Sequence, residues 1–225
     1  MSAAAAWRVE RVRGDPHVLH DRDVLAEATR TVWVLEADRT ALVLGSSQRD
    51  EIVDQHAVRQ RGIGVVRRRS GGGAVLLVPG AVTWVDLVLP RRDPCWSDDV
   101  GHAFEWLGDA WARALAELGH AGVDVHRGTL RRTRWSDLVC FGGIGPGEVL
   151  VGGRKVVGIS QRRTAAGARF QCAALHAWDP TALLDLLALA PEEREVAGAE
   201  LAEVAAGIDD PAEAVVSALL ATLPD

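Results

Sequence analysis

The stretch "VLVGGRKVVGIS", residues 149–160, constrains the fold more than any other part of the sequence. Two runs of mostly β-branched residues flank Gly152 and Gly153, and a pair of glycines at this place is typical of a two-residue hairpin turn. A hairpin joins neighbouring strands in antiparallel order. The chain is therefore expected to build at least part of its core from an antiparallel sheet.

Other β-rich runs extend this expectation along the chain. "TVWVLE" and "TALVLGS" are joined by "ADR" and are expected to form a second hairpin. "AVLLVPG" and "AVTWVDLVLP" predict two buried strands on either side of a Pro-Gly turn. Further strands are predicted in "IGVVRRRS", "GVDVH", "DLVCFGG" and "ARFQCAALHAW".

Helical patterns interrupt these strands. Two of the helices are expected in "DRDVLAEATR" and in "DEIVDQHAVRQRG", which has an acidic start and ends at a glycine. The longest is predicted in "SDDVGHAFEWLGDAWARALAELGH", where Ser97 or an adjacent aspartate is expected to cap the first turn. Its broad apolar face comprises Val100, Ala103, Leu107, Ala110, Ala114, Leu115 and Leu118.

The order of these elements predicts the fold class and the domain organisation. Hairpins dominate and helices are inserted without regular alternation, which predicts an α+β fold with a mixed, mainly antiparallel sheet flanked by helices. The 225 residues suit one domain over residues 1–225. Helical segments alternate with prolines from Pro180, so a helical C-terminal segment is expected at about 180–225, with no separate accessory domain.

Charge and composition argue against several classes of protein. A net charge of −6 disfavours sequence-independent binding of nucleic acid. The cysteines and histidines show no metal spacing, so no metal site is expected and each histidine is predicted to lie on the surface or in a loop. No signal peptide and no apolar run of about 18 residues are found, which predicts a cytoplasmic protein with reduced thiols and no membrane contact.

The segment "RRRSGGGAV", residues 67–75, is the first candidate for a binding site. Three successive glycines let backbone N–H groups approach an anionic ligand closely. Alternation along a strand places Arg67 and Arg69 on one face and Arg68 on the other. The segment is neither a P-loop nor a dinucleotide-binding turn, and a flexible turn beside a solvated basic edge is the alternative interpretation.

Lys155 is the second candidate, because it is the one lysine among the 25 Lys and Arg residues. Period-two alternation places it on the same strand face as Val157 and Ile159. A lysine on an apolar face requires an anionic partner, and its compact charge suits a carboxylate or phosphoryl oxygen. We therefore expect Lys155 to be functional.

Cys140 in "SDLVCFGG" is the third candidate, with two interpretations open. A free cysteine in an apolar strand is often a small buried hydrophobic residue. It is a nucleophile where a nearby cation favours the thiolate, and Lys155 follows Cys140 in the next hairpin.

The first two segments together resemble those of a known family. "RRRSGGGAV" resembles the RR-x-SGGG-AV loop of the biotin/lipoate protein ligase family, and "GGRKVVGISQRR" resembles its G-R-K-x-x-G-S-x-Q-R segment. Weaker similarity in "LVLGSSQ", "SDL" and "FQCAALHAWDP" extends the resemblance over roughly residues 30–180. The chain thus resembles the catalytic domains of lipoate–protein ligase A-like and octanoyltransferase-like proteins.

This resemblance implies a fold similar to the catalytic domains of biotin ligases and class II aminoacyl-tRNA synthetases. It also implies attachment of a lipoate or octanoate-type acid to a lysine of a lipoyl carrier domain, such as the glycine-cleavage H protein or a 2-oxoacid dehydrogenase E2 domain. A ligase would use ATP with Mg²⁺ and an acyl-adenylate. An octanoyltransferase would use a cysteine thioester and no cofactor, and Cys140 stands where similar transferases have their cysteine.

The resemblance also implies roles for individual residues. Lys155 would hold the carbonyl and phosphoryl oxygens of the substrate, and Arg67 or Arg68 would order the glycine loop or contact the phosphate. The other residues expected to contact substrate or adenylate are Ser70, Gly71, Gly72, Gly73, Ala74, Asp137, Gly158, Ser160 and Gln161.

Some positions depart from the family pattern. Leu77, Val78 and Ala81 stand where the family often has His, Asp and Asn, and Phe170, Gln171, Cys172 and Ala173 replace the common H-H-G-T. Three interpretations stay open: an ATP-dependent ligase, a transferase that uses Cys140, and a non-catalytic protein that binds a lipoyl-type ligand or a carrier.

Overall fold

The computed structural model describes residues 6–24 and 29–225, and a seven-stranded sheet forms its centre. The strand order is β1-β2-β6-β10-β9-β8-β7. These strands are β1 (Arg8–Gly14), β2 (Thr31–Ala37), β6 (Val82–Pro90), β7 (Val123–Val125), β8 (Val149–Val151), β9 (Arg154–Arg163) and β10 (Gly167–Leu175). β1 pairs with β2 in parallel and the other neighbours pair antiparallel, so the predicted α+β fold with a mixed, mainly antiparallel sheet is confirmed.

A smaller sheet and six helices complete the described part of the fold. The smaller sheet has the order β4-β3-β5 and consists of β3 (Ala41–Leu44), β4 (Gly64–Arg67) and β5 (Val75–Leu77). The helices are α1 (Pro16–Asp21), α2 (Gln55–Gln60), α3 (Glu105–Glu117), α4 (Thr181–Leu184), α5 (Pro191–Ala202) and α6 (Ala212–Thr222).

The large sheet separates two apolar layers. On one face, Val85 and Leu87 of β6 pack with Trp111 of α3 and Leu219 of α6. On the other face, residues of the large sheet pack against the small sheet and α1 in a cluster that includes Trp33, Trp84, Val43, Leu77 and Leu19. Burial of apolar area at about 25 cal/mol per Å² stabilises both layers. The candidate site lies on the side of the small sheet.

The predicted hairpin between "TVWVLE" and "TALVLGS" is wrong, because β2 and β3 belong to different sheets. β2 pairs with β1 and β6, whereas β3 pairs with β4 and β5. Both strands are almost entirely buried, so each requires partners on both edges and cannot satisfy its backbone with one neighbour. The short connection "ADR" turns the chain from one sheet to the other.

The predicted strand "DLVCFGG" is also wrong. Residues Cys140–Gly142 form a single 3₁₀ turn. The backbone N–H of Cys140 donates to the Ala74 carbonyl at 2.9 Å, and the N–H of Ala74 donates to the Leu138 carbonyl at 2.8 Å. These bonds dock the turn against the end of the glycine loop, and Cys140 begins the turn.

Two of the predicted helices, in residues 50–62 and 97–120, form with different boundaries. The segment 50–62 is split into a 3₁₀ turn at Asp50–Ile52 and α2, because Asp54 accepts bonds from the N–H groups of His56 and Ala57 and starts a new helix. The hydrogen bonds also lower the pKa of Asp54. In "DRDVLAEATR", residues 22–24 are not helical and residues 25–28 lie outside the described part of the chain.

The long helix begins later than expected. Asp99, next but one to Ser97, accepts bonds from the N–H groups of Gly101 and His102, so an aspartate does cap this region. A 3₁₀ turn follows, and α3 starts only at Glu105. Val100 is 56% exposed and does not belong to the apolar face.

Candidate active site

A β-bulge in the β8–β9 hairpin sets the direction of Lys155. The predicted turn is confirmed, with φ of 56° at Gly152 and 80° at Gly153. Leu150 pairs with Lys155 but Val149 pairs with Val157, so β9 has one extra residue between the two pairs. Such a bulge breaks period-two alternation and re-aims a side chain.

The predicted face of Lys155 is therefore wrong. Beyond the bulge, Val157 and Ile159 pack in the layer of α3 and α6. Lys155 instead lies beside Gly158, where an added Cβ would stand 3.4 Å from the lysine Cε. The side chain consequently reaches the side of the sheet that faces the glycine loop.

Lys155 is 1% exposed and its ammonium group has a full set of partners. Its Nζ lies 2.7 Å from the Glu148 carboxylate and donates to the carbonyls of Cys140 at 2.9 Å and Gly143 at 3.0 Å. It also lies 4.9 Å from the centre of the Phe141 ring. Since an ammonium group has three donors, the lysine holds the 140–143 turn in place.

Glu148 is the anionic partner that the sequence required and that sequence reasoning missed. Its carboxylate also accepts from the N–H of Gly145 at 2.7 Å and from the N–H of Ile159 at 3.1 Å. A buried ion pair of this kind persists only when its other hydrogen-bonding positions are satisfied. A carboxylate directly before the partner strand of Lys155 was the signal that could have identified it.

The glycine loop is ordered by Arg68 rather than flexible. Arg68 is 5% exposed, and its Nη2 donates to the carbonyls of Gly71 at 2.8 Å and Gly73 at 2.9 Å. Gly72 has a φ of 98°, which favours glycine. A Cβ on Gly73 would lie 2.5 Å from the backbone of Val139, so only glycine permits this approach to the 140–143 turn.

Arg67 and Arg69 have partners different from those of Arg68, and β4 ends at Arg67, so strand alternation does not extend over the three arginines. Arg67 donates to the carbonyl of Gly45 at 3.0 Å and also contacts Gln48 and Asp50, so it orders the loop after β3. Arg69 pairs with Asp21 and Asp23. Of the three arginines, Arg68 is the one that orders the glycine loop.

Cys140 differs from the other two cysteines in its surroundings. It is partly buried, and its Sγ lies 3.9 Å from Nη2 of Arg68, so negative charge on the sulfur would face a guanidinium group. Cys172 is fully buried, and burial raises the pKa of its thiol. Burial also raises the pKa of Cys95, which lies beside Asp93 and Arg30.

Two cavities meet at Cys140. The first, called the polar cavity, offers about 620 Å³ to the centres of water-sized molecules. It is lined by Lys155, Cys140, Asp137, Gln161 and the backbone of Gly71, Gly72 and Gly73. Both polar side-chain groups of Gln161 are shielded from solvent and have no protein partner, so they are available to a ligand.

The second, called the inner cavity, lies between the two sheets and is mostly apolar. It offers about 60 Å³ to the centres of water-sized molecules, and its lining includes Val43, Leu77, Trp84, Phe141 and Leu175. Arg68 and Gly158 also line it, and Cys140, Ile159 and Ser160 line both cavities. An elongated ligand with a polar head and an apolar tail matches this arrangement.

A buried chain of polar groups lies along the inner cavity. Ser70 donates to Oε1 of Gln171 at 2.6 Å and lies 3.0 Å from the Ser160 hydroxyl. Nε2 of Gln171 lies 3.2 Å from Nδ1 of His20, whose ring is 4.4 Å from that of Trp84.

His20 is buried, so the prediction of a surface or loop position for every histidine is wrong. Burial, with Arg169 and Arg68 nearby, lowers the pKa of His20 to about 3, so the ring is neutral at neutral pH. Arg169 also fixes the position of the histidine by donating to the His20 carbonyl at 3.0 Å while it pairs with buried Asp86. Sequence spacing gives no signal for these contacts, which join residues far apart in the chain.

The remaining predicted residues lie outside these two cavities. Ala74 is buried, forms backbone hydrogen bonds with Leu138 and Cys140, and lines a separate cavity. Among the described residues, no group of three or more His, Cys, Asp or Glu side chains is arranged to hold a metal ion. Within residues 6–24 and 29–225, none of the helices has the length and apolarity required to cross a membrane.

Comparisons with known proteins identify similar sequences. The family profile described as lipoyl protein ligase A/B catalytic domain matches residues 16–215. The octanoyltransferase LipM of Kyrpidia tusciae is 30% identical over 174 residues, which are 76% of this chain and 62% of that protein. The octanoyltransferase LipM of Moorella thermoacetica is 36% identical over 118 residues, which are 52% of this chain and 42% of that protein. The chain thus spans less than two thirds of the length of these relatives.

Solved structures share the fold at low sequence identity. A lipoate-protein ligase A bound with ATP superimposes with a TM-score of 0.68 at 18% identity, covering 97% of this chain and 84% of that one. A chain from the structure of a bi-partite lipoate protein ligase and its E2 lipoyl domain from Thermoplasma acidophilum gives a TM-score of 0.71 at 18% identity, covering 96% and 81%.

Proposed function

Because the chain belongs to the lipoyl protein ligase A/B catalytic-domain family, we propose that it transfers an octanoyl or lipoyl group to a carrier-domain lysine through a thioester on Cys140. The position of Cys140 supports this proposal most directly. Its thiol is the one that lines both the polar and the inner cavity, and it faces the Arg68 guanidinium. The similarity to octanoyltransferases LipM points in the same direction.

The first step of the proposed reaction is attack by the Cys140 thiolate on the carbonyl of an acyl thioester donor. The C–S bond of the donor breaks, its sulfur leaves as a thiol by taking up the proton that Cys140 lost on forming the thiolate, and an acyl-Cys140 thioester forms. Negative charge develops on the carbonyl oxygen in the transition state. The guanidinium group of Arg68 and the ammonium group of Lys155 both contact Cys140, and both stabilise that charge.

In the second step, the amine of the carrier lysine attacks the acyl-Cys140 thioester. An amide bond forms, the C–S bond breaks, and the Cys140 thiol is regenerated with the proton released by the amine. The apolar tail stays in the inner cavity during both steps, and the polar cavity admits the donor and the acceptor in turn. The carrier classes and the cytoplasmic location expected from the sequence stay predictions.

Lys155 acts in this scheme chiefly by positioning. Its three donors are occupied by Glu148, Cys140 and Gly143, so a substrate oxygen gains a bond from Nζ only by replacing one of them. The ion pair therefore fixes the backbone of the nucleophile and supplies positive charge nearby.

Intact-mass spectrometry tests the transferase. The protein is incubated with octanoyl-coenzyme A, without ATP, and then with a lipoyl carrier domain. We expect an octanoyl adduct on the wild type, its transfer to the carrier, and loss of both in Cys140→Ser. Cys95→Ser, at a cysteine that lines neither the polar nor the inner cavity, serves as the matched control and is expected to retain the adduct. A Cys140→Ser variant that modifies the carrier at the wild-type rate would contradict the proposal.

An ATP-dependent ligase is the second candidate, and the size of the polar cavity favours it. The backbone of Gly71–Gly73 and the guanidinium groups of Arg49 and Arg132 line this cavity and would hold the phosphates of ATP with Mg²⁺. ATP would activate the free acid as an acyl-adenylate. This reaction predicts carrier modification from octanoate and ATP that survives Cys140→Ser, whereas a non-catalytic binding protein predicts no modification in either assay.

A further inference from the structure

A third cavity lies beyond the inner cavity and has no role in the reaction described above. We call it the outer cavity. It offers about 170 Å³ to the centres of water-sized molecules and lies between β5, the turn at 78–81 and the start of α4. Its far side is lined by Val78, Ala81, Val139, Trp178, Ala182 and Leu183, and Asp179 is the one charged residue on its lining.

Four side chains separate the inner and the outer cavity. Val75, Val82, Phe141 and Leu175 line both, so the partition between the two spaces is one side chain thick. Phe141 and Leu175 form one apolar cluster that has Cys140 on its inner side and Trp178 on its outer side. The partition is thus the end of the space that begins at the candidate nucleophile.

The outer cavity is suited to an apolar chain. The departures from the family pattern contribute to this property, because Leu77 lines the inner cavity while Val78 and Ala81 line the outer one. Buried His, Asp or Asn side chains at these positions would cost free energy unless they were hydrogen-bonded. The outer cavity also reaches the surface at Ala177 and Ala182, which are exposed, so it does not limit the length of a chain inside it.

We propose that this partition determines acyl chain length, with Leu175 as its main specificity residue, and that the outer cavity accepts the distal methylenes of a long acyl chain only when the partition is opened. The proposal rests on the proposed acyl transfer through Cys140. In the wild type the partition ends the tail site and favours medium-length chains. Shortening Leu175, which is 5% exposed, joins the two cavities.

The test compares octanoyl- and dodecanoyl-coenzyme A as donors and follows acylation of Cys140 by intact mass. Each buried methylene contributes about fourfold to relative kcat/KM, so Leu175→Ala should raise the dodecanoyl/octanoyl ratio by at least about tenfold. Adding Val78→Phe to Leu175→Ala fills the outer cavity and should remove this gain. Leu89→Ala, a core substitution on the opposite face of the sheet, should leave the ratio unchanged.

An unchanged ratio in Leu175→Ala, or a gain that survives Val78→Phe, would overturn the proposal. Val82→Ala opens the same partition with a smaller loss of core volume, and it replaces Leu175→Ala if that variant does not fold. If no donor acylates the wild type, the proposed transferase fails. Calorimetry with free octanoic and dodecanoic acid then tests the role of the partition independently of acyl transfer. If the partition limits chain length, Leu175→Ala must bind dodecanoic acid at least about tenfold tighter than the wild type does.

Discussion

At the scale of single residues, Lys155 and Glu148 show how a lone charge becomes tolerable inside an apolar protein. Their side chains are 2% and 7% exposed, and every donor and acceptor contact described for them lies within 3.1 Å. Desolvation of both ions is offset because the pair and its backbone partners satisfy each other. The pair thereby links the β8–β9 hairpin to the turn that holds Cys140.

Removal of one charge of the pair should therefore lower the free energy of unfolding. Removal of both charges should restore stability but not acyl transfer, which distinguishes a structural role from a functional one. We expect Lys155→Met to destabilise the protein by about 3–5 kcal/mol, because Glu148 is left as a buried unpaired charge. Lys155→Met combined with Glu148→Gln should recover most of that loss while acyl transfer stays about a hundredfold slower than in the wild type. Urea denaturation and the transfer assay measure the two effects. Wild-type transfer by the double variant would show that the pair is purely structural.

His20 provides a prediction for pH dependence. The pKa of its imidazole falls from 6.5 to about 3 on folding, because burial and the cations Arg169 and Arg68 disfavour the charged ring. As pH falls below 6.5, the imidazole of His20 becomes protonated in the unfolded chain but stays neutral in the folded protein. Protonation therefore favours the unfolded chain, and the free energy of unfolding decreases. Between pH 6.5 and 5 this group should cost about 2 kcal/mol.

The matched variant for this effect is His20→Gln, which removes the titrating ring and retains polar groups near Gln171. Chemical denaturation at pH 6.5 and 5 should show a smaller decline in unfolding free energy for His20→Gln than for the wild type. Equal declines would mean that the ring takes up its proton without cost in the folded state.

At the scale of elements, the glycine loop and the 140–143 turn act as one unit. Gly73→Ala places a methyl group 2.5 Å from the backbone of Val139 and 2.7 Å from the N atom of Cys140, so the turn must shift. We expect a loss of about 1–3 kcal/mol in stability and slower acylation of Cys140. Gly71→Ala is the control, since nothing lies within 4 Å of its added Cβ. Thermal denaturation should leave Gly71→Ala within about 0.5 kcal/mol of the wild type.

The same elements show how far the sequence could predict this structure. The β8–β9 hairpin was predictable because its turn chemistry is local and Gly152 and Gly153 both adopt positive φ. The separation of β2 from β3 was not, since two buried strands take their partners from distant parts of the chain. The turn at Cys140–Gly142 was hidden for the same reason, because Ala74 provides its backbone partner.

The sequence predicted the central residues of the candidate site but not the residues that hold them in position. Lys155, Cys140 and the glycine loop were identified, and the structure brings them to one cavity. The direction of Lys155 depended on a bulge, which pattern reading does not detect when strand pairing is unknown. Glu148 was signalled only by its place directly before β8, and the pairing of β8 with Lys155 has to be known to use that signal. His20 contacts Gln171, which is far away in the sequence, so no spacing indicates its role.

At the scale of the whole molecule, the site depends on segments distant in sequence. The backbone of Lys155 donates to the Val204 carbonyl at 3.0 Å and accepts from the N–H of Ala206 at 2.9 Å, so the segment between α5 and α6 braces the lysine strand. The inner cavity lies between the two sheets, with Val43 of the small sheet facing Trp84 and Leu175 of the large one. A ligand in this cavity contacts both sheets at once.

Occupation of the inner cavity should therefore stabilise the whole fold. A ligand that binds only the folded state at a hundred times its Kd contributes about 2.7 kcal/mol, which corresponds to a rise in Tm of about 5–10 °C for a chain of this size. We expect octanoic acid to produce this rise in a thermal denaturation assay. Ala173→Phe fills the inner cavity from β10 and should abolish the rise without unfolding the protein, because its side chain enters existing space. An equal rise in Tm for the wild type and Ala173→Phe would show that octanoic acid binds elsewhere, and the inner cavity would then not be the site of the tail.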